Sequence, residues 1–113
     1  MSNSPSLSIP LAELGEGTMQ TCTVGGHEIV LCRTKEGVFA LDNICTHAYA
    51  RLNEGRLRGT RLICPLHGAS FDVRDGRVLG APATRPLATH PARISGDRVE
   101  ISVTAAESKP MTL

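Results

Sequence analysis

A chain of 113 residues fits one domain with a buried core and leaves no room for a second domain carrying separate catalysis. Twelve Lys and Arg against eleven Asp and Glu give a formal net charge of +1, and only Phe39, Tyr49 and Phe71 are aromatic, so neither the basic field nor the stacking platform of a nucleic-acid binder is present. No apolar run approaches the roughly 18 residues of a membrane span, and Met1-Ser-Asn-Ser-Pro-Ser6 lacks the basic flank and apolar core of a secretory signal, which argues for a cytoplasmic protein with no membrane partner.

In chain order, short period-2 stretches fall at about 7–11, 18–24, 27–33, 37–42, 61–64, 70–73, 77–80, 87–94 and 98–103, the alternation of half-buried strands. Turn dipeptides punctuate them: Gly25-Gly26, Glu36-Gly37, Asp75-Gly76 and Gly96-Asp97, each supplying a glycine for the positive φ of a tight hairpin. A two-residue loop at Gly25-Gly26 pairs Val24 with His27 and Cys22 with Ile29, which puts Cys22 and Cys32 on opposite faces and rules out a disulfide between them. No window of eleven or more residues carries a helical apolar stripe, and no repeat is present. The expectation is an all-β single domain over 1–113 of stacked antiparallel sheets, with its core at about 7–103 and frayed ends at 1–6 and 105–113.

Two segments break the strand rhythm, 43–60 and 64–70, and both carry Cys and His. Four cysteines in a short chain can mean disulfides, but a reducing cytosol and two nearby histidines favour metal ligation by one pair. Cys45-Thr46-His47 and Cys64-Pro65-Leu66-His67 read as C-x-H, 16 intervening residues, then C-x2-H. Two thiolates and two imidazoles are a complete four-ligand set. Cys22 and Cys32 fall in strands and read as small buried hydrophobes. His27 and His90 have no ligand-like neighbour in sequence and read as surface histidines.

With Gly68, Phe71-Asp72 and the segment Gly80-Ala-Pro-Ala-Thr-Arg-Pro-Leu87 added to the Cys/His set, the chain resembles the Rieske ferredoxins of bacterial aromatic-ring dioxygenase systems from about Leu7 to Val103. The resemblance implies a two-loop Rieske iron-sulfur domain with one [2Fe-2S] cluster as cofactor, Cys45 and Cys64 on the buried iron and His47 and His67 on the outer one. It also implies an electron carrier rather than an enzyme, with a NAD(P)H-dependent flavoprotein reductase and a terminal ring-hydroxylating oxygenase as partners and an exposed histidine tip flanked by Ala48, Tyr49, Ala50 and Leu66. Respiratory Rieske proteins carry a further Cys in each loop and Ser and Tyr hydroxyls directed at the cluster; this chain has Ala50, Leu66, Ala69 and Phe71 instead. Those absences imply a potential of roughly −150 mV, at the low end of the Rieske range.

The same residues leave other readings open. A structural Cys2His2 zinc module satisfies the spacing alone. Within electron transfer, the small Rieske-like subunit of assimilatory nitrite reductase shares the pattern. Six arginines against Glu54, Asp72 and Asp75 give +3 over 45–81, a solvated face on which Arg51 or Arg56 can meet an acidic partner.

Overall fold

The apolar run Ile29-Val30-Leu31-Cys32 has no polar alternation, and all four residues are fully buried, as a strand covered on both faces requires. In the computed structural model, which describes residues 5–46, 50–66 and 68–103, that run lies in the middle layer of a three-sheet stack. The middle sheet has the order β2-β3-β4-β9, formed by Met19–Val24, His27–Thr34, Gly37–Asp42 and Thr89–His90.

Successive residues of β3 and β4 face opposite ways, so each face carries its own core. Val30, Cys32 and Leu41 pack with Leu62, Phe71 and Val73 on one side. Leu62 and Phe71 come from the sheet β5-β6-β7-β8, Arg56–Arg58, Arg61–Ile63, Ser70–Asp72 and Val78–Gly80, and Val73 directly follows β7. Ile29, Leu31, Val38 and Ala40 pack with Val99 and Ile101 on the other. These belong to the sheet β1-β11-β10, Ser6–Pro10, Arg98–Ser102 and Ala92–Ser95. All pairings among the described residues are antiparallel. Among the described residues no helix is long and apolar enough to cross a membrane.

The Gly25-Gly26 register is as expected, Val24 opposite His27 and Cys22 opposite Ile29. Cys32 lies in the first core and Cys22 against the second, and both are free thiols. Burial pushes the Cys32 thiol up to about 12 and raises Cys22 as well, the behaviour of packing residues rather than reactive ones.

Three expectations need correction. Ser6, placed in a frayed end, opens β1 opposite Ser102; residues 1–4 and 104–113 lie outside the described residues. The interruption at 43–60 contains a strand, β5, whose single inward residue Leu57 gave too short an alternation to read. The run 87–94 is two strands, because Pro91 has no N–H for a ladder: β9 joins the middle sheet and β10 an outer one.

Asp72 ties the turn after β7. Its side chain is 2% exposed and lies 2.8 Å from Arg74 and 3.4 Å from Arg77, and it accepts the Arg74 backbone N–H at 2.9 Å. The Arg74 hydrogen bond, outweighing desolvation, holds the carboxyl down to about 2. A depressed folded pKa stabilises above the unfolded value near 4, and the contribution disappears as pH falls from about 4 through 2. It amounts to at most about 2 kcal/mol, because the arginines are half in solvent. Thermal unfolding followed by circular dichroism should therefore show the wild type losing Tm between about pH 4 and 2, and Asp72→Asn starting lower and varying less over that interval. An equal acid slope in the two proteins would remove Asp72 from this role.

Candidate metal centre

β4 ends at Asp42, and Asn43 turns the chain out of the sheet. The Asn43 side chain is fully buried, so its amide needs partners on both sides. Nδ2 donates to Glu28 Oε2 at 2.9 Å and to Asn53 Oδ1 at 2.8 Å, while Oδ1 accepts the Asn53 N–H at 2.9 Å. The backbone repeats the connection: Asn43 N–H donates to the Glu28 carbonyl at 2.9 Å, and Leu52 N–H donates to the Asn43 carbonyl at 2.7 Å. The segment from 43 to 53 is thus closed at its base. Glu28 also accepts from Arg51 Nε at 2.7 Å, and its pKa is lowered by the Arg51 and Asn43 hydrogen bonds, in that order.

Inside that closure, the Cys45 N–H donates to the Ala50 carbonyl at 2.9 Å. In the loop between β6 and β7, the Cys64 N–H donates to the Ala69 carbonyl at 2.7 Å. Both loops are pinched five residues beyond their cysteine, with His47 inside one pinch and His67 inside the other in sequence. His47, Ala48, Tyr49 and His67 lie outside the described residues.

Gly55 allows the two loops to approach. A Cβ there would run into the Ile63 carbonyl oxygen and press on Pro65, so the backbones touch without a side chain between them. The result brings together two thiols that are 4% and 2% exposed. Burial pushes the Cys64 thiol up, the Leu66 N–H, 3.4 Å from its sulfur, pulls it down, and a hydrogen bond with Cys45 pushes it up again.

Adjacent buried thiols with an amide donor aimed at one sulfur suit a metal ion that replaces their protons and withdraws their charge. Leu52, Ala69, Phe71, Ala83 and Leu87 form the apolar wall around them.

The segment 80–87 closes over the first loop. Thr46 Oγ1 donates to the Arg85 carbonyl at 2.7 Å, and Arg85 Nη2 donates to the Thr46 carbonyl at 3.3 Å. Its base is held where Leu87 N–H donates to the Gly76 carbonyl at 2.8 Å, and a Cβ on Gly76 would strike the Leu87 oxygen. The Ala81–Pro82 bond is cis. Leu66 stands out at 44% exposure, whereas Ala50 is partly buried.

Arg51 is exposed and paired with Glu28 at 2.7 Å, and Arg56 is exposed on β5. His27 and His90 are not ordinary surface histidines. The His90 side chain is 1% exposed with Nε2 2.8 Å from Asp42 Oδ1, and His27 is half-buried beside it. Asn43 also escaped the sequence reading; the available signal was an Asx residue directly after a strand and before a loop.

The Rieske [2Fe-2S] domain family profile matches residues 6–91. A curated relative from Pseudomonas aeruginosa, the ferredoxin component of a naphthalene 1,2-dioxygenase system, is 42% identical over 96 residues, covering 85% of this chain and 92% of its own. The solved ferredoxin of carbazole 1,9a-dioxygenase from Nocardioides aromaticivorans superposes with a TM-score of 0.85 at 28% identity, covering 90% of this chain and all of that one. A second, solved in complex with reduced oxygenase of carbazole 1,9a-dioxygenase, gives 0.81 at 28% identity, covering 88% of this chain and 94% of that one.

Replacing Asn43 by Ala should leave the Asn53 N–H without its acceptor and a void in the loop base. The expected cost is about 2 kcal/mol in urea unfolding, with an unchanged m-value. A loss under about 0.5 kcal/mol would show that water replaces the amide at no penalty.

Proposed function

The chain belongs to the Rieske [2Fe-2S] domain family, and from that membership we propose that it is a single-domain, cytoplasmic one-electron carrier. It accepts electrons from a NAD(P)H-dependent flavoprotein reductase and delivers them to a terminal ring-hydroxylating oxygenase. Its cofactor is one [2Fe-2S] cluster, which supplies reversible one-electron chemistry when bound. The observation that carries the reading is the pair of buried thiols on two similarly pinched loops within a family-matched fold.

In this reading Cys45 and Cys64 hold the inner iron, and His47 and His67 hold the outer one. The Leu66 N–H stabilises negative charge on the Cys64 sulfur. Leu52, Phe71 and Leu87 exclude water from the inner side. The Thr46–Arg85 pair keeps the segment 80–87 against the first loop. Leu66 offers a small exposed apolar contact suited to brief docking, and Arg56 can add an attraction to acidic groups.

Ala69 and Phe71 are both fully buried and bring no hydroxyl to the site, which favours a potential at the low end of the family range. The names borne by relatives of this identity favour a dioxygenase system over nitrite reductase. No catalysis of substrate turnover is assigned to the chain; its relatives are named as ferredoxin components.

The test is visible absorption and low-temperature EPR before and after dithionite, with iron and zinc analysis and a redox titration. A red-brown protein with two irons, a mixed Cys/His signal on reduction and a midpoint of roughly −150 mV is expected. Ala69→Ser should raise the midpoint, and His67→Cys should lower it by adding negative charge at the metal. Stoichiometric zinc in a colourless anaerobic preparation would overturn the reading.

A further inference from the structure

His27, Asp42 and His90 meet on the face of the middle sheet that looks away from Cys45 and Cys64. Asp42 sits opposite Ile29, two residues from His27, and His90 sits opposite Ala40, two residues from Asp42. All three therefore share the face that carries Ile29 and Ala40 into the second core.

His90 Nε2 lies 2.8 Å from Asp42 Oδ1, and His27 Nδ1 lies 4.0 Å from the same oxygen. One donor atom from each residue falls within 4.8 Å of the other two. The imidazoles meet edge to face with centroids 5.3 Å apart. Donors bound to one ion at about 2.0–2.2 Å in tetrahedral geometry sit about 3.3–3.6 Å from one another, a spacing bracketed by the two distances to Asp42, so small side-chain rotations suffice.

Two imidazoles and one carboxylate are a ligand set of borderline softness, suited to nickel, zinc or cobalt rather than magnesium or calcium. Each comes from a strand of one sheet, β3, β4 and β9, so the arrangement is held by the ladder. Exposure runs from 1% at His90 through 23% at His27 to 39% at Asp42, which leaves the carboxylate side open for an ion to enter and to keep water ligands.

We propose that His27, Asp42 and His90 form a second metal site, distinct from the cluster, that binds one divalent transition ion. The competing account is that Asp42 and His90 are a hydrogen-bonded pair fixing the two-residue strand β9, with His27 packed beside them.

The experiment is equilibrium dialysis of the oxidised, cluster-loaded full chain against Ni2+, with nickel and iron measured together. The wild type should take up one nickel per chain with its two irons unchanged. His27→Ala and Asp42→Asn should each weaken nickel binding at least tenfold while keeping that iron. No nickel uptake by the wild type, or uptake that neither substitution reduces, would overturn the proposal. If Asp42→Asn fails to retain its iron, His27→Ala carries the test, since it removes a half-buried ring from the start of a strand. In the wild type, paramagnetic shifting of the His27 and His90 ring protons by Ni2+ reads the same site without a variant, and unshifted rings would count against it. Because iron is measured alongside, failure of this site and failure of the cluster assignment give different results.

Discussion

A buried amide is tolerable only when each of its hydrogen-bonding groups has a partner, and the side chain of Asn43 meets that condition through Glu28 and Asn53. The partners lie on both sides of the cysteine segment: Glu28 in the middle sheet and Asn53 at the far end of the loop. Closing the loop at its base presents Cys45 at a fixed height above the sheet. The second loop needs no such lock, because β6 and β7 pair directly and bring Ile63 opposite Ser70. Gly55 then sets the spacing between the loops by leaving room for the Ile63 carbonyl.

The middle sheet divides the molecule chemically. One face of β3 and β4 supports the apolar wall around Cys45 and Cys64, and the other supports the core under β11. Since side chains alternate, neighbouring residues on one strand serve different purposes: Leu41 backs the cysteine side, while Asp42 beside it joins His27 and His90. On the cysteine side Arg51, Arg74 and Arg77 are paired with Glu28, Asp72 and Asp75. The apolar Leu66 remains exposed there.

Local signals were legible in the sequence and non-local ones were not. Gly25-Gly26 fixed a register to the residue because a two-residue turn allows only one, and the Cys/His spacing was readable because each half sits within four residues. β5 was missed because Arg56-Leu57-Arg58 offers one apolar side chain, too few to establish a period. The run 87–94 was read as one strand because its alternation carries through Pro91, although a proline there ends the ladder. His27, Asp42 and His90 could not be joined by inspection: His90 and Asp42 are 48 residues apart, and only the pairing of β9 with β4 brings them together. The Arg51–Glu28 pair was not legible for the same reason, its carboxylate lying 23 residues earlier.

The strands β5 to β8 lie side by side in the order in which they are made, whereas β9 returns across the whole of that unit to pair with β4. Bringing two distant points of a flexible chain together costs entropy that grows with the length between them. A meander assembled from neighbouring hairpins avoids most of that cost. Once 56–80 has folded, Leu41 and Thr89 are separated by a compact body instead of a loose coil, and their pairing becomes a short-range event. The unit that carries Cys64 thus also spans the interval between β4 and the strand that joins it, β9.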